Sequence, residues 1–194
     1  WDGTAWSALG AGTSDHVSAL AVFDAGTGPE LVAGGRFVQA DGQDVNCVAR
    51  WNGATWNGLA GGMADGSRST EVRALAAIIE NGTAYLLAGG SFSEAGDLPA
   101  GLYGGRGLAR WDGVEWSSLA GNADAEVVVG GTVQAILPLG DETPTALVVG
   151  GQLSSVADRN GVVSTLDAVR WDSGGWSPMS GGLDGTVNTL APYA

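Results

Sequence analysis

The strongest constraint on this chain is a short motif that occurs four times and contains all eight of its tryptophans. The motif is Trp-Asp/Asn-Gly-x-x-Trp in three copies and Trp-Asp-Ser-Gly-Gly-Trp in the last, at residues 1–6, 51–56, 111–116 and 171–176. Each copy has the same place in a unit of 50 to 60 residues. The tryptophans therefore mark a structural repeat, and the 194-residue chain is predicted to form one repeated architecture.

Aligning the tryptophans brings out four short apolar segments in each unit. The first segments are 17–23, 72–78, 133–137 and 187–190; the second are 31–37, 86–92 and 147–153; the third are 48–51, 108–111 and 168–171; the fourth carries the second tryptophan, as in 55–59. The Asp-Gly or Asn-Gly dipeptide between the third and fourth segments is typical of an antiparallel hairpin. A loop of two or four residues puts both tryptophans on one face of that hairpin, so we expect them to pack between sheets.

Four-stranded antiparallel units without helical signals predict an all-β fold, a β-propeller segment whose units are blades. A parallel β-solenoid has shorter coils and needs no hairpin in each repeat, and a sandwich would not keep the motifs so strictly in register. The predicted complete blades are about 17–59, 72–119 and 133–179, and a partial blade would come from 1–9 and 186–194. The 34 glycines supply the turns between so many short strands.

The second segments end in Gly-Gly doublets at 34–35, 89–90 and 150–151, and the third segments end in tryptophan. This pattern resembles the kelch-type repeat of the galactose-oxidase-like propellers. The Ala-Arg-Trp-Asp-Gly-x-x-Trp sequence resembles more closely the repeats of secreted bacterial surface proteins and of fungal cortical-marker surface proteins. The resemblance implies a propeller fold and an extracellular or cell-surface location in a bacterium. It implies no activity, because such propellers include both enzymes and binding modules.

Three complete blades and a fraction make an open arc, whereas propellers close at four to eight blades. The leftover segments contain no copy of the Gly-Gly strand for a fourth blade. We expect the remaining blades of a longer polypeptide to complete the ring. In the alternative, a second copy associates with the first and shares the incomplete blade.

Charge and cysteine content exclude several classes of partner. The net charge is −13, and all eight cationic side chains are arginines. Nucleic acid and anionic membrane surfaces are therefore disfavoured as partners, because both are bound through neutralising cations. Cys47 is the only cysteine, so no intrachain disulfide can form, and we expect a structural rather than a reactive thiol. No apolar run is long enough to span a membrane, so no membrane insertion is expected.

The loops between the second and third strands and between units vary most in length, so we assign binding of a protein or glycan ligand to that face. The candidate ligand-face residues are His16, Arg68, Asp97, Tyr103, Arg106, Asp158 and Arg159. Asp41, Asp44 and Asn46 carry oxygen ligands at spacings that suit calcium, as do Asn122, Asp124 and Glu126. Neither set has the length or glycine position of a known calcium loop. A solvated acidic loop is the favoured interpretation, and no other cofactor is expected.

Arginines 50, 110 and 170 directly precede the tryptophans. A ring of cations for an acidic ligand is one interpretation. A structural role is favoured: packing, a cation-π contact or an ion pair with a neighbouring blade. For the same reason, the tryptophans are interpreted as core residues rather than as sugar platforms.

No catalytic constellation is present in the sequence. His16 is the sole histidine and has no patterned Ser or Cys partner, and the His, Tyr and Cys content does not suit a copper oxidase or a zinc site. The favoured hypothesis is a non-catalytic extracellular or cell-surface module for binding, adhesion or scaffolding. The alternative is a carboxylate-based glycan hydrolase or lyase that uses acids on the variable-loop face.

Overall fold

The computed structural model describes residues 3–64, 69–96, 107–119, 127–140, 146–158, 161–165, 167–172, 175–179 and 181–192, with the backbone alone for Val128 and Asp158. These residues form an all-β fold. The strands are β1 (Val17–Phe23), β2 (Glu30–Gly35), β3 (Gln39–Ala40), β4 (Gln43–Asp44), β5 (Val48–Trp51), β6 (Trp56–Gly58), β7 (Met63–Ala64), β8 (Glu71–Glu80), β9 (Thr83–Ser91), β10 (Glu94–Ala95), β11 (Leu108–Trp111), β12 (Trp116–Ser117), β13 (Val128–Leu139), β14 (Ala146–Asp158), β15 (Gly161–Ser164), β16 (Ala168–Asp172) and β17 (Gly175–Pro178). Within the described part of the chain, no helix is long and apolar enough to cross a membrane.

Three antiparallel sheets follow one another along the chain, each with its four main strands in sequence order. The first sheet is β1-β2-β5-β6, the second is β8-β9-β11-β12, and the third is β13-β14-β16-β17 with β15 paired to β14. These sheets confirm the predicted four strands per unit. The third sheet is longer than predicted: the segments 120–132 and 154–167 were expected to be loops, but Val128–Gly130 and β15 pair with the extended end of β14.

The tryptophan motif forms the hairpin between the last two strands of each sheet. Trp51 lies opposite Trp56, and the same pairing recurs at 111/116 and 171/176. In the second sheet, Asp112 Oδ1 accepts hydrogen bonds from the N–H groups of Val114 and Glu115, both 2.8 Å long. In the first sheet, Asn52 Oδ1 accepts the equivalent hydrogen bonds from the N–H groups at positions 54 and 55. The glycines that follow Asn52 and Asp112 have φ values of 97° and 105°. The Asx side chain and the glycine thus close a four-residue loop, and the prediction that the tryptophans share a face is confirmed.

Trp56, Trp111 and Trp116 are buried core residues, and the other three tryptophans of these hairpins are partly buried against the core. The rings of Trp51 and Trp56 lie 5.5 Å apart, and those of Trp111 and Trp116 lie 5.3 Å apart. The indole N–H of Trp56 donates to the Leu9 carbonyl, and the equivalent group of the second sheet donates to the carbonyl at position 59. The first two hairpins are therefore each joined to the end of the preceding unit, whereas the buried indole N–H of Trp176 has no hydrogen-bond partner among the described residues.

Successive sheets pack face to face, and the Gly-Gly doublets set how closely they approach. A Cβ on Gly34 would lie 2.5 Å from Val72 Cγ1 and 3.3 Å from Leu75 Cδ1 of the next sheet. We call this contact the first seam. The second seam joins Gly89 to Val133 and Ile136, and the third joins Gly150 to Val187 and Leu190. The first glycine of every doublet thus makes room for two side chains of the following first strand.

The core lies between the sheets, because the second strand of each sheet is buried on both faces. Leu86 packs with Val48 and Trp111 in the cluster between the first and second sheets. Its neighbour Leu87 faces the other way and packs with Val149 in the cluster between the second and third sheets. A strand that is apolar at successive positions is what burial on both faces requires.

The residue directly before each third strand has a left-handed backbone conformation. Cys47, Gly107 and Asp167 have φ values of 70°, 75° and 64°. Each carbonyl accepts a hydrogen bond from the second glycine of its own doublet, at 2.9–3.0 Å. The thiol of Cys47 is buried and lies 3.5 Å from the Thr70 carbonyl oxygen. Positive φ and a backbone carbonyl acceptor are common to positions 47, 107 and 167. Neither depends on the side chain, so three dissimilar residues can occupy these positions.

Outside the three sheets, β3 pairs with β4 and β7 pairs with β10, but the described terminal segments form no strand. Residues 3–9 and 186–192 were predicted to supply parts of a further blade, but no strand pairs with either segment in the described chain. Trp6 is 83% exposed. Val187 nevertheless occupies the third seam, and its N–H donates to the Gly151 carbonyl at 3.0 Å. The C-terminal segment therefore contacts the third sheet as a first strand would, without forming one.

Candidate functional site

Each first strand carries a β-bulge opposite the Gly-Gly doublet. The strand register skips one residue at Ser18, Arg73 and Gln134. A Cβ on the second glycine of each doublet would collide with a backbone carbonyl at the start of the first strand. The colliding carbonyls belong to His16 for Gly35, Glu71 for Gly90 and Thr132 for Gly151. Glycine is therefore required where the bulge forms. Bulges re-aim side chains, and here they direct polar residues at the loop end of the sheets, where the second strands finish and the third strands begin.

These polar residues join the first strands of all three sheets. We call His16, Ser18, Glu71, Arg73 and Gln134 the first-strand polar cluster. Glu71 Oε1 accepts a hydrogen bond from Ser18 Oγ at 2.7 Å and lies 3.1 Å from His16 Nε2. Arg73 pairs with Glu71 Oε2 at 2.8 Å through Nη2, and its Nη1 donates to Gln134 Oε1 at 3.2 Å. Side chains of three sheets thus form one hydrogen-bonded line across two seams.

Glu71 is the buried centre of this cluster, at 9% exposure. Burial acts to raise the pKa of its carboxyl group. The hydrogen bonds from Ser18 and His16 and the charge of Arg73 outweigh that effect and hold the pKa below its usual range. Glu71 is therefore a carboxylate at neutral pH, balanced by its neighbours.

His16 lies between two carboxylates at the solvent side of the cluster. Its Nδ1 is 3.0 Å from Asp15 Oδ1, and its side chain is 48% exposed. The hydrogen bond to Glu71, followed by the one to Asp15, raises the pKa of His16. The backbone N–H and then the ring of His16 lower the pKa of Asp15, with Arg36 Nε contributing at 3.3 Å. The imidazole is thereby held in its charged form to a higher pH.

Arg73 retains one donor that the described protein groups do not use. Its Nε is buried and has no hydrogen-bond partner within the described ranges. A buried N–H of this kind is normally satisfied by water or by a ligand. The cluster therefore offers a hydrogen-bond donor as well as a fixed charge pattern.

The structure describes only part of the predicted ligand face. His16 is placed in the first-strand polar cluster. Asp158 ends β14, where its backbone pairs with Gly161, and its side chain is not described. The other five predicted residues lie outside the described residues: Arg68, Asp97, Tyr103, Arg106 and Arg159. The second calcium candidate, at 122–126, lies outside them as well.

The first calcium candidate has protein partners for each of its three side chains. Asp41 accepts hydrogen bonds from the backbone N–H of Ala11 and, at 3.3 Å, from that of Trp56. Asp44 accepts one from the Gln39 amide, and Asn46 donates to the carbonyl of residue 61. Asp41 and Asn46 thus bind neighbouring segments of the chain, and Asp44 binds within the β3-β4 hairpin. Among the described side chains, no group of three His, Cys, Asp or Glu residues is arranged to hold a metal ion.

The repeat-locked arginines form ion pairs, but within their own sheets. Arg50 pairs with Glu30 at 3.1 Å, and Arg170 pairs with Asp172 at 3.4 Å. Arg110, which is buried, pairs with Glu80 at 2.6 Å and lies 4.3 Å from the Tyr85 ring centroid. The structural interpretation accounts for these contacts, although the partners do not come from a neighbouring sheet.

Sequence reasoning found His16 and missed the rest of the cluster. The missed residues share one signal: they flank the aligned valines Val17, Val72 and Val133 by one position on either side. Their chemical types differ from unit to unit, so comparison of these columns shows no conserved motif. A search for polar residues in an otherwise apolar strand would have selected them.

Comparison of the chain with protein-family models, curated proteins and solved structures gave no match. The functional proposal therefore depends on the chain's own residues.

Proposed function

We propose that the three sheets are consecutive blades of a kelch-type β-propeller and that the chain is a non-catalytic binding module. Its ligand, a protein or a glycan, is held at the loop end of the blades. The observation that carries this proposal is the first-strand polar cluster, in which Glu71 and Arg73 join residues of neighbouring sheets. In a propeller the first strands converge on the central axis, so this cluster would lie at the centre of the ligand face.

The order of the strands supports the architecture. Each sheet has its four main strands in sequence order, and β8 packs against both β1 and β13. The seams repeat with equivalent residues, and the hairpins at the other end are closed by their own Asx turns. A constant end and a variable end on one scaffold are typical of a recognition module.

The electrostatics of the cluster favour binding over acid-base catalysis. A carboxylate-based hydrolase or lyase would need a carboxyl group that stays protonated near neutral pH. The pKa values of Asp15 and Glu71 are both lowered instead, and each carboxylate has a cationic partner. A fixed pattern of charges and donors suits recognition of a polar ligand. The net charge of −13 disfavours polyanions as ligands.

The module would act outside the cell or at the cell surface of a bacterium. This part of the proposal rests on the resemblance of the Trp-Asp-Gly and Gly-Gly pattern to repeats of secreted surface proteins. Cys47 is the only cysteine and is buried, so no intrachain disulfide contributes to this part of the proposal.

The test is a binding and turnover screen of the purified protein against neutral, basic and acidic polysaccharides and cationic peptides. We expect saturable binding that His16→Ala weakens about tenfold, or about 1.4 kcal/mol. Val114→Ala is the matched control, because Val114 is 79% exposed at the opposite, hairpin end. Release of reducing ends that disappears in Glu71→Gln would establish the enzyme instead. Equal weakening by both alanine variants would refute a ligand site at the loop end.

A further inference from the structure

The third sheet carries a hairpin that extends it at the loop end. β14 continues to Asp158, and β15 runs back along it, with Ser155 opposite Ser164 and Asp158 opposite Gly161. The other side of this part of β14 is occupied by the first residues of β13. β15 is therefore an edge strand, because among the described strands only β14 pairs with it.

The hydrogen-bond pattern shows which backbone groups of β15 point away from β14. The N–H of Thr165 donates to the Ser154 carbonyl at 3.1 Å, in the same register as the rest of the hairpin. In an antiparallel pair, residues that bond to the partner strand alternate with residues that do not. The backbone groups of Val163 thus face β14, and those of Val162 and Ser164 face outward. Both outward residues are exposed, Val162 at 71%.

The sequence of β15 does not protect this edge. Soluble proteins block exposed edges with charged residues, proline, bulges or very short strands. β15 is a four-residue strand of sequence Gly-Val-Val-Ser, and its pairing with β14 has no register shift. By contrast, β4, which follows the second strand of the first sheet, has two residues and contains Asp44. An unprotected edge with outward N–H and C=O groups is suited to the addition of a further strand.

The charges around β15 indicate what kind of strand it would accept. Residues 154–167 contain two aspartates and one arginine. Asp167 also lines an open pocket together with Asp184. A second copy of this chain would bring a further net charge of −13 to the edge, whereas a segment with lysine or arginine would be attracted. A glycan does not carry the alternating backbone N–H and C=O groups that an edge strand pairs with.

We propose that β15 binds an extended basic segment of a partner protein, which adds to the third sheet as a further strand beside Val162 and Ser164. The added strand would lie in line with β17, which pairs with β16 and ends at Pro178. Its backbone would pair with the outward groups of β15, and its side chains on one face would pack against Val162. This inference rests on the proposed binding module and selects a protein as its ligand.

The experiment measures the binding of labelled peptides of about ten residues, in which lysine or arginine alternates with valine or threonine. Fluorescence anisotropy is recorded at protein concentrations up to about 100 μM. Ser164→Pro removes an outward N–H and places its ring in the path of the added strand. Val163 precedes it in an extended strand, as a proline requires. Ser164→Thr is the matched control, because threonine keeps the N–H and suits a strand.

We expect a dissociation constant below about 100 μM for the wild type, at least about tenfold higher for Ser164→Pro and within about threefold for Ser164→Thr. Methylation of the backbone nitrogen at alternate residues of the best peptide should abolish binding in one phase and spare it in the other. The reason is that only every second N–H of an added strand faces β15. This comparison uses the wild-type protein, so it decides the question even if Ser164→Pro does not fold.

Four results would overturn the proposal: no binding, equal binding by Ser164→Pro, insensitivity to methylation in both phases, or equal binding of peptides with glutamate in place of the cations. A wild-type dimer that Ser164→Pro dissociates would identify a second copy as the occupant and overturn it as well.

His16→Ala separates this inference from the ligand site at the first-strand polar cluster. Binding that requires β15 but not His16 would refute that ligand site and leave this inference standing. Binding that is lost in His16→Ala and retained in Ser164→Pro would refute this inference and leave the proposed function standing.

Discussion

Gly89→Ala tests whether the doublets set the spacing between sheets. The added Cβ would lie 2.5 Å from Val133 Cγ1 and 3.0 Å from Ile136 Cδ1. Val133 is fully buried, so the second seam must open or its side chains must leave their rotamers. Overpacking of this kind costs about 1–3 kcal/mol. The alanine also restricts the unfolded chain, which offsets about 0.4–1 kcal/mol. We expect a net loss of about 1–2 kcal/mol in the free energy of unfolding.

The assay is urea unfolding followed by tryptophan fluorescence, because Trp111 and Trp116 are buried in the core between the first and second sheets and become exposed on unfolding. Gly185→Ala is the matched control, since a Cβ at that glycine has no atom within 4 Å. It should leave the midpoint unchanged or raise it slightly. The size of the control effect corrects Gly89→Ala for the change in the unfolded chain.

A double-mutant cycle with Val133→Ala identifies the contact responsible. Val133→Ala alone should cost about 2 kcal/mol, because it removes two buried methyl groups. The same change removes the atom that the methyl group added by Gly89→Ala would strike. The double variant should therefore be more stable than the sum of the single effects by about 1 kcal/mol. Additivity to within about 0.3 kcal/mol, or a Gly89→Ala protein as stable as the wild type, would refute the reasoning.

Three further predictions concern hydrogen bonds and charge. Asp112→Ala removes the acceptor of two N–H groups and should cost about 1 kcal/mol in urea unfolding, whereas Asp112→Asn, which retains the acceptor, should cost little. Arg110→Lys should lower the free energy of unfolding by about 1–3 kcal/mol, because the buried guanidinium group that pairs with Glu80 is lost. Arg170→Lys, at 49% side-chain exposure, should change it by less than about 0.5 kcal/mol in the same assay. The raised pKa of His16 makes its contribution complete below its unfolded value of 6.5, and that contribution is lost as pH rises through the folded pKa. The urea midpoint of the wild type should therefore fall relative to that of His16→Gln as pH increases above 6.5, and parallel curves would contradict this.

The sequence predicted the features that depend on local chemistry. Segments 17–23 and 48–51 coincide with β1 and β5. The Asn81-Gly82 dipeptide forms the two-residue turn between β8 and β9, where Glu80 pairs with Thr83. Turn residues and strand alternation act within a few residues, so one chain is enough to recognise them. The propeller architecture, by contrast, remains a proposal.

The features that join units were harder to predict. Glu71 forms side-chain hydrogen bonds with Ser18 and His16 of the preceding unit, and no spacing in the sequence relates these residues. Segments 3–9 and 186–192 look like strands by alignment, but a strand also needs a neighbour to pair with. The partners of the repeat-locked arginines depend on which acid lies across the same sheet, as Glu80 does for Arg110.

The glycine doublet has a consequence for how such a chain can grow. Each sheet has the glycine doublet on one face and a valine with a leucine or isoleucine on the other. The two faces differ, so a stack of such sheets has a direction. When another sheet is added, the stack still ends in one glycine face and one valine face. The side chains at these faces therefore do not limit the number of sheets. The rotation from one sheet to the next decides whether the row closes or continues as a fibre. A substitution that changes this angle by a few degrees would therefore change how many sheets a closed ring needs.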